Sequence, residues 1–352
     1  MSTLLRVLRE KWTTMPTPKM SLEGKTILIT GTNTGLGFET AKKLAALGPK
    51  KLIITTRSLS KGEQTLKEIA KYMAGSAATT QQTEIVPLTL DMGTLDAVES
   101  FVKTLETTND RLDGAILNAG VNSSVYHVGP DGYEDTIQVN AISTTHLAVL
   151  LLPLLTSTAK ATNTQTHLTF ISSRTATRVS TAEIAPYSSS SSPLKFMSQP
   201  DNFPPGMMGG QARYGQSKLL LEYAMRHLVQ LPSLRDKNGK PHVIINSVCP
   251  GLTKSDLARN YDSWMLQLFV NYVFFPLLAK STEQGANCYL LAFSKGEESY
   301  GQLSAAGETY TEEWDAIKSE TGKEFGDKMW AELTQIMRSR VESSAQEVLG
   351  QA

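Results

Sequence analysis

The fold of this chain is decided by the stretch Ile27-Leu-Ile-Thr-Gly31-Thr-Asn-Thr-Gly35-Leu-Gly37. Its apolar run suits a buried strand, its glycines suit a tight turn, and residues 38–47 suit an amphipathic helix. Glycine allows a sharp turn and close approach of an anion, and a helix N-terminus offers unpaired N–H groups. The stretch predicts a dinucleotide-binding turn. Because its spacing is G-x3-G-x-G rather than G-x-G-x-x-G, an ordinary glycine-rich turn remains the alternative.

Apolar runs and helical patterns alternate after this stretch, as in repeated βα units. Further strands are predicted at 51–56, 84–90, 114–117, 167–171 and 242–248. Helices are predicted at 38–47, 59–72, 95–105, 136–155 and 217–231. The fold class is therefore α/β, a single Rossmann-type, doubly wound parallel sheet with helices on both faces. Ligands of such sheets bind beyond the carboxyl ends of the strands.

Composition narrows the function. The chain has 352 residues, and its 34 basic and 34 acidic residues cancel, so charge does not favour nucleic acid as a partner. The only cysteines, Cys249 and Cys288, lack metal-ligand spacing and suit a reducing compartment. We therefore expect a cytoplasmic protein that acts on a small molecule without a metal.

Several segments lie outside the regular alternation. Residues 1–21 form an N-terminal extension with a short amphipathic pattern, 22–310 the main domain, and 311–352 a tail with a helix over 325–341. Within the domain, 174–213 is too polar and broken for a regular element and reads as a surface insertion. The segment 255–280 is predicted to be a substrate lid. Weak membrane contact through 4–12 or 264–275 is left open.

Tyr214-Gly-Gln-Ser-Lys218 is the stretch most indicative of chemistry. A spacing of four places the phenol and the ammonium on one face of a helix, one turn apart. The lysine charge favours phenolate, so the tyrosine can exchange a proton with a substrate oxygen. Ser172 and Ser173 follow the fifth predicted strand, where a hydroxyl can bind the same oxygen, although only one of the two can face the site.

Together with these residues, the motifs Thr30-Gly31-x3-Gly35-x-Gly37, Asp91, Asn118-Ala119-Gly120, Asn140 and Cys249-Pro250-Gly251 resemble the short-chain dehydrogenase/reductase family over residues 22–293. The resemblance implies Tyr214 as general acid/base, Lys218 as its pKa-lowering and ribose-holding partner, Ser173 as polariser of the carbonyl and Asn140 as holder of a relay water. Leu117 stands where many members have asparagine, and the segment between Ser173 and Tyr214 is unusually long.

The same resemblance, with the glycine turn, implies a set of cofactor contacts. Asp91 would contact the adenine, and the residues after the sixth strand would flank the nicotinamide. The predicted cofactor-binding residues are Thr30, Gly31, Thr32, Asn33, Gly35, Leu36, Gly37, Arg57, Lys61, Asp91, Asn118, Ala119, Gly120, Tyr214, Lys218, Pro250, Gly251, Thr253 and Ser255.

The end of the second strand indicates which nicotinamide cofactor is used. A carboxylate there binds the ribose 2′-hydroxyl of NAD, whereas arginine accommodates the 2′-phosphate of NADP. This strand ends Thr55-Thr56-Arg57-Ser58, and Lys61 is near. NADP(H) is therefore favoured, with stacking of Arg57 on the adenine as the alternative.

Finer resemblances concern the substrate. The segments 57–63 and 280–286 resemble retinol-dehydrogenase-like members and the fungal reductases of secondary metabolism, and the N-terminal extension and tail favour the fungal group. The expected function is NADP(H)-dependent interconversion of a ketone or aldehyde and an alcohol on an apolar substrate. A non-catalytic NADP(H) sensor or interaction protein is the alternative, and an epimerase or dehydratase is disfavoured by the glycine spacing. A homodimer and a monomer are both compatible with the sequence.

Overall fold

Seven parallel strands and one antiparallel strand form a sheet in the order β3-β2-β1-β4-β5-β6-β7-β8. The computed structural model describes residues 11–75, 83–206, 208–253, 278–312, 314–340 and 343–350. The strands are β1 (Thr26–Ile29), β2 (Lys51–Thr56), β3 (Glu84–Thr89), β4 (Gly114–Leu117), β5 (Thr166–Ile171), β6 (Val243–Cys249), β7 (Leu303–Ala305) and β8 (Glu308–Thr309). The predicted α/β sheet is confirmed, with β7 and β8 as short additions at one edge.

Eleven helices of the described residues surround this sheet. They are α1 (Gly35–Ala46), α2 (Leu59–Ala74), α3 (Leu95–Thr108), α4 (Asp135–Thr162), α5 (Thr181–Ser188), α6 (Pro193–Met197), α7 (Gly209–Leu228), α8 (Thr282–Phe293), α9 (Asp315–Lys318), α10 (Glu320–Arg338) and α11 (Ser343–Leu349). Strand order reverses between β1 and β4, where the crevice of a doubly wound sheet opens.

Alternate residues of the strands face two separate hydrophobic clusters. Ile27 and Ile29 of β1 join the cluster beneath α1, α2 and α8. Leu28 joins the larger cluster beneath α3, α4, α7 and α10. Because the central strands β1, β2, β4, β5 and β6 are buried on both faces, they read as continuous apolar runs, which is why they could be predicted.

Helix α4 is apolar and long enough to span a membrane, but 78% of its most apolar window is buried inside the protein. Its apolar character is therefore that of a core helix. Pro153 lies inside it without ending it.

Two other predicted boundaries differ from the structure. Helix α7 begins at Gly209, well before the predicted start at 217, so Tyr214 lies inside the helix. The insertion 174–213, expected to lack regular elements, contains α5 and α6. Ser180 and Glu183 form a capping box at α5, and Pro193 opens α6.

Candidate active site

The glycine turn between β1 and α1 has the geometry that an anion site requires. Gly31 and Gly35 have φ angles of +70° and +63°, in the left-handed region that glycine tolerates best. A Cβ on Gly37 would lie 2.2 Å from the Gly31 carbonyl oxygen, so the turn closes only around a glycine. Thr34 occupies the N-cap position of α1 and makes no side-chain capping bond to the described helix. The first N–H groups of α1 thus suit a diphosphate.

Asn118, at the end of β4, holds this turn in place. Its Nδ2 donates to the carbonyl oxygens of Thr30, at 2.8 Å, and Gly31, at 3.0 Å. The Thr30 hydroxyl accepts in return from the backbone N–H groups of Asn118 and Ala119. The predicted Thr30, Gly31 and Asn118-Ala119 positions are therefore brought together by the structure.

Tyr289 of α8 completes this arrangement and was not found by sequence reasoning. Its buried hydroxyl donates to Asn118 Oδ1 at 3.1 Å. No local pattern marks Tyr289, because its partner is distant in the sequence. By orienting the Asn118 amide, the Tyr289 phenol acts indirectly on the glycine turn.

The ends of β2 and β3 place charged side chains next to the turn. The Thr32 N–H donates to the Thr55 carbonyl at 2.9 Å, which fixes the turn against the end of β2. Arg57 and Lys61 follow that strand and are exposed. Asp91 follows β3, is exposed, and accepts a hydrogen bond from Gly93 N–H at 2.9 Å. Two cations and one carboxylate thus border the crevice at the carboxyl edge of the sheet.

The Ser173 hydroxyl faces the Tyr214 phenol closely enough to lower the pKa of that phenol. Ser173 follows β5, and its Oγ also accepts from the Thr175 hydroxyl at 2.9 Å. Ser172 is only 2% exposed and points into the interior. Of the two serines, the second therefore faces Tyr214.

Burial raises the pKa of Tyr214 above its ordinary value, the nearby Cys249 raises it further, and the Ser173 hydroxyl lowers it. Lys218 is not among these causes, so its expected lowering of the Tyr214 pKa is not seen, and desolvation of the phenolate is the largest effect. Tyr214 is consequently a neutral phenol, the form that donates a proton.

Lys218 lies one turn further along α7, beside the Tyr214 ring. Its Nζ is 5.7 Å from the ring centroid and donates to the Ile171 carbonyl at 2.8 Å. Burial lowers the pKa of Lys218 to about 8, while Glu222 and Cys249 act in the opposite direction. The lysine charge is thus poised to change just above neutral pH.

Asn140 lies in a π-helical turn of α4, Gln138–Ser143. Its Nδ2 donates to the Val121 carbonyl at 2.8 Å and to Ser217 Oγ at 3.0 Å. A Cβ on Gly120 would lie 3.1 Å from Asn140 Oδ1 and 3.6 Å from Lys218 Nζ. Gly120, Asn140 and Lys218 therefore meet at one point, and π-helical turns are frequent at functional sites.

The segment that follows β6 lines the remaining side of the candidate active site. Cys249 Sγ accepts from the N–H groups of Arg174, at 3.3 Å, and Gly251, at 3.4 Å. Gly251 follows Pro250 and has a φ of +80°. The Thr253 hydroxyl donates to the Gly251 carbonyl at 3.3 Å. Ser255 and nearly all of the predicted lid lie outside the described residues, as do residues 1–10 of the N-terminal extension.

A buried side chain connects the insertion to this site. Arg213 directly precedes Tyr214 and donates to the carbonyl oxygens of Met197, at 2.8 Å, and Asn202, at 2.6 Å. Farther out, α10 holds α6, because Glu332 accepts from the N–H groups of Leu194 and Lys195 at 2.7 and 3.0 Å. Neither contact has a local sequence signal, since each joins distant segments.

Comparison with known proteins agrees with this geometry. The family model for short chain dehydrogenases matches residues 25–199 of this chain. The short-chain dehydrogenase/reductase phmF of Phaeosphaeria nodorum is 34% identical, over 92% of this chain and 89% of that protein. The short-chain dehydrogenase/reductase ffsI of Aspergillus flavipes is 33% identical, over 90% of this chain and 86% of that protein.

This chain belongs to the short-chain dehydrogenase/reductase family. It is an oxidoreductase of that family, and both of these relatives are fungal, as the resemblance implied. Among solved structures, a chain from Mycobacterium Paratuberculosis matches 93% of this chain and 98% of its own length, with a TM-score of 0.60 and 20% identity. At this identity the structural match shows the fold.

Proposed function

We propose that this family member is an NADP(H)-dependent oxidoreductase that interconverts a ketone or aldehyde with an alcohol on an apolar substrate. The observation that carries the proposal is that Ser173 faces Tyr214 beside Lys218, at the carboxyl edge of the sheet. A protein that only senses a dinucleotide has no chemical need for this set. The fungal relatives support a place in secondary metabolism.

A nicotinamide cofactor fits the residues of the crevice. The glycine turn and the uncapped start of α1 would hold the diphosphate, and Asn118 to Gly120 would line the ribose path. Asp91 would meet the adenine, and Pro250, Gly251, Thr253 and Ser255 the nicotinamide. The chemistry that the cofactor supplies when bound is the hydride.

Arg57 and Lys61 are the basis for proposing NADP(H) over NAD(H). Both are exposed at the end of β2, and residues 55–61 contain no acid that would repel a 2′-phosphate. Structural neighbours do not decide this choice, because the Pseudomonas aeruginosa RhlG structure holds NADP and a Brucella melitensis reductase holds NAD.

Four side chains of the site have separate roles in the proposed proton transfer. In the reductive direction, the neutral Tyr214 hydroxyl donates its proton to the carbonyl oxygen, and Ser173 donates a hydrogen bond to the same oxygen. The Lys218 ammonium stabilises the phenolate left behind and binds the ribose. Asn140, fixed by Val121 and Ser217, holds the relay water that connects Lys218 to solvent.

Tyr214→Phe tests the proposal. NADPH binding, followed by nicotinamide fluorescence, is expected to stay within about twofold, while turnover of a screened panel of apolar ketones and aldehydes falls about 10²- to 10⁴-fold. Unchanged turnover would remove Tyr214 from the proton-donating role. NADPH binding without turnover of any carbonyl or alcohol by the parent protein would favour the sensor alternative.

A further inference from the structure

Helix α7 carries a line of ionisable residues that leads away from the site into the interior. Tyr214, Lys218, Glu222 and Arg226 are each four residues apart and therefore share one face of the helix. Lys218 is 4% exposed and Glu222 is 0% exposed. A carboxyl group is thus buried one turn below the lysine of the proposed mechanism, and no step described above uses it.

The Glu222 carboxyl lacks the partners that a buried charge normally has. Neither of its oxygens accepts a hydrogen bond of normal geometry from the described residues. The hydroxyls of Ser172, after β5, and Ser247, on β6, face it closely enough to lower its pKa, but they too lack a normal bond there. An unpaired buried carboxyl is costly, so its presence calls for a reason.

The charges around Glu222 come from its own helix. Lys218 and Arg226 lie one turn to either side, and from the sheet only the two serine hydroxyls act on it. Burial raises the pKa of Glu222, whereas the hydroxyls and both cations oppose that effect. Because desolvation is the largest effect, the ionised form of Glu222 depends on the opposing charges of Lys218 and Arg226.

Lys218 in turn depends on Glu222. Burial disfavours its ammonium, and the groups that oppose this effect are the Glu222 carboxylate and the Cys249 thiol of β6. The hydrogen bond from Nζ to the Ile171 carbonyl is to a neutral acceptor. Without Glu222, Lys218 would lose its proton at a lower pH.

We propose that Glu222 is a positioning residue for the reaction proposed above: its buried carboxylate keeps the Lys218 ammonium charged beside Tyr214. The inference rests on the roles proposed for Lys218 and Tyr214. Glu222 itself touches neither substrate nor cofactor in this scheme.

The first test is the pH profile of Glu222→Gln, which removes the charge and keeps the shape. The alkaline limb of the reductive rate is expected to move down by about one pH unit, with near-parental turnover at the acidic end of the profile. Glu222→Asp, which withdraws the charge by one methylene, is expected to shift the limb less. Glu332→Gln removes another buried carboxylate, which accepts from Leu194 and Lys195 and is not among the groups that act on Lys218, and it should leave the limb in place.

A second readout needs no turnover. Because the folded-state pKa of Lys218 is about 8 against 10.5, the unfolded chain binds more protons in that window, so stability rises as pH increases across it. Lys218→Met should lose this rise, and Glu222→Gln should begin it at lower pH.

The two readouts separate the possible failures. A displaced rise in stability without any turnover would support the inference about Glu222 while contradicting the proposed activity. The inference would be overturned if, in Glu222→Gln, both the rise in stability and the alkaline limb of the reductive rate stayed at the pH of the parent protein. If Glu222→Gln does not fold, the size of both shifts in Glu222→Asp decides in the same way.

Discussion

Arg213 and Glu134 form an ion pair that is closed off from solvent on both sides, with Nε 3.8 Å from Oε2. Glu134 also caps the start of α4, since its carboxylate accepts from the N–H groups of Thr136 and Ile137. The pair therefore joins the segment before Tyr214 to the helix that carries Asn140.

Arg213→Met is expected to destabilise the protein by about 3 to 5 kcal/mol, because it leaves a buried carboxylate without its cation. Denaturant unfolding would measure this loss. The double variant Arg213→Met with Glu134→Gln removes both charges and should recover part of it. A single variant as stable as the parent protein would show that the pair is not coupled in solution.

Arg57→Ala is expected to weaken NADPH binding about 10- to 100-fold and to leave NADH binding unchanged, since a charged contact to the 2′-phosphate is lost. Titration followed by nicotinamide fluorescence measures both affinities. Lys67, exposed on the same helix as Lys61, supplies the control Lys67→Ala, which should alter neither. Equal weakening of both cofactors would instead indicate stacking of Arg57 on the adenine.

Tyr289→Phe is expected to reduce cofactor affinity about three- to tenfold, because Asn118 Oδ1 loses its donor and only the two Nδ2 bonds then hold the amide. Tyr223→Phe is the matched control. The Tyr223 hydroxyl is also buried and donates to the Ala316 carbonyl, away from the turn. Both variants should lose about 1 kcal/mol of stability, but only Tyr289→Phe should affect binding. Equal affinities in the two variants would contradict the role given to Tyr289.

His146 and His167 make the fold sensitive to acid. Burial lowers the pKa of each to about 4, so the folded chain binds fewer protons than the unfolded chain between pH 4 and 6.5. Stability should therefore fall as pH decreases through this window, by up to about 1.4 kcal/mol per unit for each histidine. The neutral His146 then contacts Glu99 at 3.1 Å through a hydrogen bond rather than an ion pair.

Unfolding by denaturant at a series of pH values would test this. His146→Asn should flatten the decline, whereas His127→Asn, at an exposed histidine, should not. A decline of equal slope in the parent protein and His146→Asn would show that other groups cause it.

The sequence was most informative where burial imposes a pattern. Continuous apolar runs marked β1, β2 and β4 to β6 because those strands are covered on both faces, whereas the edge strand β3 is only partly buried. The glycine turn and the Tyr214–Lys218 spacing were recognisable because their chemistry requires particular residues at fixed intervals.

Sequence reasoning failed where distant segments decide the structure. Gly209 and Gly210 lie in the segment that was expected to lack regular elements, yet they begin α7. Position 210 requires glycine because a Cβ there would lie 2.3 Å from the Ser123 carbonyl oxygen, a contact with a distant segment. The same limit hid Tyr289 of α8, whose partner Asn118 follows β4 and is distant in the sequence. Glu222 could have been found, because its spacing from Lys218 repeats that of Lys218 from Tyr214.

The contact between Glu332 and the start of α6 has a consequence for synthesis. The N–H groups of Leu194 and Lys195 receive their acceptor from a residue that the ribosome adds 138 and 137 positions later. The sheet and the residues for proton transfer are complete well before that. Helix α6, which lies in the segment in front of Tyr214, therefore gains this anchor only when almost the whole chain has been made.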